Sequence, residues 1–454
     1  MKFYFLSSLI FFQLSLNAQI TFKKQFPMPL HTFASTVLQT YDHGYILMSL
    51  VDVGSYRYNT CLIKTNETGD TLWSKMYAYG KNGYTRLGMV QCPDSGFAVL
   101  GEKNGVYLLR LTKNGDSLWG KELGSGSAFS IEISQNNEFI ISGIDSTLLF
   151  LRANYNGEIL SHKNISILPP GYTTGQFGFS IKPTNDNGSI IGGTSDWISN
   201  SYPFLAKTDY YGNLQWAKSF TYLEESGGCS LDITKDSGFI LAGYSSGGAL
   251  IIKTNFLGDT LWVNTYQSRM SPSYYSVTTC NVGDYIACGR TGDNLSWMEH
   301  ILLTKTSQDG SLIWSKNLCS DTMHIEGVCV KETYDGGFII LGDIHIDYPP
   351  FYDLILIKTD ESGNVSWVKP VYNAPMFSVY PNPADKYITI ETRKTTRDAT
   401  IEVFDLTGKC RLKTKSESSK NVVTISVDSL EPGEYLLKIS TDNNVYWTKK
   451  IIKL

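Results

Sequence analysis

The chain is poor in the residues that carry most enzyme chemistry. Histidine occurs only 6 times in 454 residues, at His31, His43, His162, His300, His324 and His345. None falls in a His-Glu-x-x-His run, which removes the helical zinc-hydrolase pattern. No Gly-x-Ser-x-Gly sits in a strand–turn–helix setting and no phosphate-cradling glycine loop is present, so common hydrolase and nucleotide signatures are absent too. The 8 cysteines are Cys61, Cys92, Cys229, Cys280, Cys288, Cys319, Cys329 and Cys410, with no Cys-x-x-Cys and no adjacent pair. That excludes a zinc ribbon or a dithiol redox motif, and the dispersed spacing reads as buried thiols. Only Cys280/Cys288 and Cys319/Cys329 are spaced for local disulfides. Charged residues make up only 18% of the chain, and long Leu/Ala/Glu/Lys-rich helical runs are missing. Past residue 18 no apolar run approaches the ~20 residues of a membrane span, so no transmembrane anchor is expected.

What is present points to β structure. Glycine (40) and tyrosine (28) are abundant, and hydrophobic content is 42%. That suits a globular, turn-rich all-β chain. Residues 1–18 read as a secretory signal, with Lys2, an apolar Phe3–Leu16 and the small residue Ala18. Charge is uneven. Residues 19–375 hold 25 Lys+Arg against 33 Asp+Glu, whereas residues 376–454 hold 13 against 10. An acidic body argues against nucleic acid as a partner.

A repeat organises residues 19–372. Turn glycines recur at Gly69, Gly115, Gly157, Gly212, Gly258, Gly310 and Gly363. Four residues after each stand Trp73, Trp119, Ser161, Trp216, Trp262, Trp314 and Trp367, so six of the nine Trp share one register. Upstream of each glycine is a cation: Lys64, Arg110, Arg152, Lys207, Lys253, Lys305 or Lys358. A turn, Asp-x-Gly in five copies, Asn136-Asn137-Glu138 in the third and Val282-Gly283-Asp284 in the sixth, and an alternating strand precede each, as in Asp236–Gly243. Each repeat thus holds four short strands, a to d, as in SLDIT, GFILAG, LIIKTN and LWVNTY. Four strands per ~40–50 residues is the period of a β-propeller blade. The expected fold is an all-β, seven-bladed β-propeller of four-stranded blades, with eight blades as the alternative. Ile20–Phe26 reads as a bare d-strand. It either closes the ring or covers an edge.

The register of KTNETGDTLW, Lys64–Trp73, resembles the tryptophan-docking motif of quinoprotein-type propellers. The resemblance implies that Trp73, Trp119, Trp216, Trp262, Trp314 and Trp367 wedge between neighbouring blades. Quinone-dependent members carry adjacent cysteines beside the quinone. This chain has none, and no carboxylate set is assignable to calcium, so no cofactor is expected.

Residues 373–454 differ, because the repeat stops after the proline-bounded Pro370–Pro375. Short alternating strands predict a small antiparallel β-sandwich. Tyr380-Pro381-Asn382-Pro383, Asp405-Leu406-Thr407-Gly408-Lys409, Pro432-Gly433-Glu434-Tyr435 and the end that includes Lys449-Lys450 occur in order. These marks resemble the type A C-terminal sorting domain of the type IX secretion system of Bacteroidota. The resemblance implies the type IX machinery as a partner and a secreted or cell-surface destination.

Strand alternation puts the a–b and c–d turns on one face of the ring and the irregular b–c and d–a loops on the other. Trp197, Tyr202, Trp297, Tyr348, Phe351, Tyr56 and Tyr58 are placed on the irregular face. Loops on a rigid ring commonly carry function, and aromatic side chains suit stacking on sugars or a protein partner. The same residues could instead pack together as a cap. Asp343, His345 and Asp347 share one strand face and could hold a cation with Asp353 nearby, or form a solvated loop edge. The leading expectation is a binding or adhesion module for glycan or protein. A polysaccharide-acting enzyme and a purely structural surface protein are the alternatives.

Overall fold

A computed structural model describes residues 19–454 except 29, 55–56, 79–86, 168–174, 198–199, 224, 268–271, 293–298, 319–323, 348–349, 366–376, 393–399, 406–407, 416–421 and 441–445. The described residues contain strands and turns and no helix. Residues 1–18, read above as a secretory signal, lie outside them.

The repeat folds as read. Strands a to d of the first unit are Thr32–Gln39, Tyr45–Asp52, Tyr58–Thr65 and Thr71–Tyr77, paired in that order as one antiparallel sheet. Five more sheets follow with the same consecutive order, beginning at Met89, Ser127, Gln176, Gly227 and Ser273. The seventh contains His324–Glu332, Phe338–Asp347 and Pro350–Thr359. Its fourth strand comes from the other end of the body: Phe22–Phe26 pairs antiparallel with Leu354–Lys358. Gln25 Nε2 and the Met28 amide both donate to the Asp353 carboxylate, at 2.7 and 3.0 Å, and Asp353 is fully buried.

Two devices explain the repeated residues. The first joins an acidic residue of the a–b turn to the cation of strand c. Lys64 pairs with Asp42 at 3.0 Å, Arg152 with Glu138 at 2.8 Å, Lys207 with Asp186 at 2.7 Å, and both Lys253–Asp236 and Lys358–Asp335 at 2.9 Å. The cations are buried, and Lys64, Lys207, Lys253 and Lys358 also donate to the following carbonyl. A Cβ at Gly238 would lie 2.6 Å from Lys253 Nζ and 2.2 Å from the Thr254 carbonyl oxygen, so only glycine fits there.

The second device is the c–d turn. Asn255 Oδ1 accepts the Leu257 and Asp259 amides, both at 2.9 Å, an Asx turn that leads into Gly258 at φ +79°. The bare glycine receives the tryptophan of the preceding sheet. A Cβ at Gly258 would lie 2.7 Å from the Trp216 ring, and Trp73, Trp119, Trp262 and Trp314 meet Gly115, Gly157, Gly310 and Gly363 in the same way. Trp262 Nε1 also donates to the Gln308 carbonyl at 3.1 Å. Where Trp is missing, Phe150 packs on Gly212, and on the N-terminal strand Phe22 packs on Gly69. Trp367 lies outside the described residues.

Neighbouring sheets meet along the chain, and the seventh meets the first through strand a, Thr32–Gln39. Serine hydroxyls link successive inner strands: Ser35 Oγ accepts the Leu87 amide at 2.7 Å, Ser230 Oγ that of Val277 at 3.1 Å and Ser276 Oγ that of Val330 at 3.2 Å. Cys280 and Cys288 are separate buried thiols rather than a disulfide, and Cys319 lies outside the described residues.

The tail is built differently. Phe377–Tyr380, Tyr387–Thr392 and Val422–Ser426 form one sheet; Cys410–Lys415, Thr400–Asp405, Gly433–Ser440 and Tyr446–Lys453 form another. Val379, Ile388, Ile390, Ile401, Val403, Leu437 and Ile451 pack into one core shared by both, giving two layers.

Candidate functional site

The inner strands surround a cavity of about 720 Å³. Six of them carry a register shift in the same place, for example between Tyr274 and Ser276 and between Gly327 and Cys329. A bulge re-aims the extra side chain. Here the residues at the bulges, Ser35, Phe129, Phe179, Cys229, Tyr275 and Val328, all line the cavity. Phe129 and Phe179 stack at 5.5 Å between ring centroids, and Phe179 stacks on Phe177 at 5.8 Å. Phe33, Phe179 and Tyr275 remain partly exposed. These aromatics sit in the first half of strand a, the half nearer the irregular loops. Sequence reasoning missed them because it sought aromatics in loops. A signal was available in the aromatic-Ser pairs Phe129-Ser130, Phe179-Ser180 and Tyr275-Ser276, which recur at one register.

Toward the uniform turns the cavity is polar. Lys182 lies between Glu132, to which it is hydrogen-bonded, and Asp232 at 3.9 Å. Burial disfavours the ammonium, but the two carboxylates outweigh that and raise its pKa. Asp232 also accepts the Thr279 amide at 2.8 Å.

At the irregular-loop end a second polar group gathers. Glu326 on strand a faces Asp343 on strand b across the seventh sheet, and His324 faces His345. Donor atoms of Glu326, Asp343 and His345 all lie within 4.8 Å of one another. Asp343 is 2% exposed, and its Oδ1 accepts the Ala34 amide of the first sheet at 2.6 Å. Burial lowers the His345 pKa, overcoming the opposite pull of Glu326 and Glu299, so the imidazole is neutral near pH 7. His324 Nδ1 accepts the Glu299 amide at 3.3 Å, and Glu299 pairs with Arg290 at 3.0 Å. The strand carrying Asp343 and His345 thus has its partner in Glu326. The side chain of Asp347 lies outside the described residues, and Asp353 is committed to the N-terminal segment.

The aromatic loop residues fare unevenly. Tyr58 belongs to the core rather than to the loop face. It begins strand c, is 3% exposed and meets Phe33 edge-to-face at 5.9 Å. The alternation that starts strand c points its ring inward, so it has no free face for a ligand. Tyr202 is partly buried on strand c of the fourth sheet, and its hydroxyl accepts from Asn200 Nδ2 at 3.2 Å. Tyr56, Trp297 and Tyr348, and the side chains of Trp197 and Phe351, lie outside the described residues.

In the tail, the motif residues tie the first segment to the last strand. Asn382 Nδ2 donates to the Lys450 carbonyl at 3.0 Å while its Oδ1 accepts the Ile452 amide at 2.8 Å. The flanking Tyr380-Pro381 and Asn382-Pro383 bonds are cis. Asp405 accepts the Lys409 amide and Arg411 Nε at 3.0 and 2.7 Å around Gly408, whose φ is +83°. Tyr435 is buried with its hydroxyl on the Glu431 carbonyl at 2.8 Å, next to Gly433. Lys449 and Lys450 are on the exposed surface of the last strand, and Lys450 pairs with Glu434 at 2.6 Å.

No curated protein sequence matches the chain. Among solved structures, the Dos1 propeller is 11% identical with a TM-score of 0.44, covering 73% of this chain and 95% of that one. The extracellular domain of BT4673 from B. thetaiotaomicron is 10% identical at a TM-score of 0.46; 95% of this chain spans 57% of that one. A protein of unknown function from Bacteroides caccae is 13% identical at 0.42, covering 60% of this chain and 93% of that one. All three lie below a TM-score of 0.5. The tail gives a direct match: residues 378–454 fit the family model of the secretion system C-terminal sorting domain. A tail of that family implies handling by type IX machinery and delivery to the cell surface or beyond it.

Proposed function

We propose that residues 19–372 form a seven-bladed β-propeller closed by its N-terminal strand, that residues 373–454 are its export tail, and that the exported ring binds a glycan on the irregular-loop face, over the mouth of the central cavity. The observation that carries the binding reading is the aromatic wall. Phe33, Phe129, Phe179 and Tyr275 converge on one cavity from four different sheets. Sugar rings present apolar C–H faces that stack on such side chains, and their hydroxyls donate to carboxylates such as Glu326. Tyr202, and from the sequence alone the loop aromatics Tyr56, Trp197, Trp297, Tyr348 and Phe351, are further candidates for this contact. The tail motif residues Pro381, Asn382, Pro383, Asp405, Gly408, Gly433, Tyr435, Lys449 and Lys450 present the shape that the secretion machinery reads.

The test is a glycan array probed with the full chain, with Phe179→Ala and Tyr275→Ala compared at equal folding by melting temperature. A hit weakened at least about tenfold by both variants, the loss of roughly 1.4 kcal/mol, supports the reading. A blank array, or variants that bind as wild type does, overturns it. Sugar release from a polysaccharide panel would move the reading to an enzyme.

A further inference from the structure

We infer that Glu326, Asp343 and His345 form a binding site for a divalent first-row transition ion, of the manganese or zinc class, at the loop-side mouth of the cavity. The first support is the donor set. It combines one imidazole nitrogen with two carboxylates, a mixture suited to manganese or zinc rather than to calcium, which prefers oxygen alone. The second is convergence. The three donor atoms lie within 4.8 Å of one another. Donors at ~2.1 Å from one ion sit roughly 3–4 Å apart, so small side-chain rotations would bring them onto a shared cation.

Rigidity is the third support. Glu326 and Asp343 are opposite partners in an antiparallel ladder, and His345 follows Asp343 by one alternation, so register fixes all three on one face. The Ala34 amide pins Asp343 from the neighbouring sheet. Two carboxylates directly opposite one another repel, and one of them is 98% buried. A shared cation turns that repulsion into attraction. Access is the fourth support, because Glu326 and Asp343 both line the open cavity. The inference does not depend on whether the ring binds a glycan.

The experiment uses the full chain without a histidine tag, stripped with EDTA and dialysed against Mn²⁺, Zn²⁺ or Ca²⁺, with bound metal counted by mass spectrometry. We expect about one equivalent of Mn²⁺ or Zn²⁺ at micromolar free metal and little Ca²⁺. Glu326→Gln and His345→Gln should each weaken binding at least tenfold, while the surface control His43→Asn should leave it unchanged. Melting temperatures in EDTA separate lost metal from lost folding. Wild type that retains no stoichiometric Mn²⁺ or Zn²⁺ overturns the site, and so do both site variants binding as wild type. Binding abolished by His43→Asn would also overturn it.

Discussion

At the scale of single residues, the repeated motif is a set of contacts between groups far apart in the repeat. Asp236 and Lys253 illustrate it. The lysine is buried and the carboxylate half-exposed, so removing the aspartate strands a charge in the sheet. Asp236→Ala should therefore destabilise the body by about 3 kcal/mol, and Lys253→Met by less, because no buried charge is left behind. Urea unfolding of the two variants checks the order. The same pairs set a pH dependence. At Asp186 burial opposes ionisation, but hydrogen bonds from Lys207, Thr184 and the Gly188 amide outweigh it and hold the pKa at about 2. Asp42, Asp94, Asp236 and Asp335 are lowered in the same way. A carboxyl lowered on folding stabilises the protein fully above its unfolded value of ~3.9. That contribution is lost as pH falls through the folded value. Urea midpoints should fall steeply between about pH 4 and 2, with a shallower fall in Asp186→Asn. Both halves of the device were visible in the sequence, as Asp-x-Gly and as the cation before each turn. Their pairing was not, because it needs the register of strands b and c.

At the scale of elements, the tryptophans were the most legible feature. Spacing alone put them in one register, and each described one packs on the turn glycine of the next sheet. Trp216→Ala should cost about 3 kcal/mol, somewhat below a fully buried aromatic because the ring is only half-buried. The third sheet, without this Trp, transfers the role to Phe150, which is fully buried. Phe150→Ala should therefore be at least as damaging, and Ser161→Ala nearly neutral, by thermal melts. Phe150 could not have been picked from sequence, since it sits on strand c and reads as ordinary core. The cavity wall was hidden for a similar reason. Bulges turn Phe129, Phe179 and Tyr275 toward the axis, and a bulge is a backbone irregularity with no fixed sequence mark. Glu326 was missed because its partners on strand b are joined to it only by cross-strand pairing.

At the scale of the whole molecule, the body and tail obey different logics. The tail has its own core and its own family match, so deleting residues 378–454 should leave the body folded but retained inside the cell. Fractionation of a host with type IX machinery would show this, and export of the truncated chain would count against the assignment. Deleting residues 19–26 should act oppositely. Export signals in the tail would remain, but Leu354–Lys358 would become an open edge, and light scattering should report self-association. The strand that prevents this joins Gln25 to Asp353, 328 residues apart. Closing a loop of that length costs about 5 kcal/mol in chain entropy. Once made, the closure acts as a buckle. Neither strand can peel away until it opens, so those amides of Phe22–Phe26 that bond to Leu354–Lys358 should exchange with solvent as slowly as those of the central strands. Chain ends ordinarily fray first. In this protein Phe22–Phe26 and Leu354–Lys358 would be released only together.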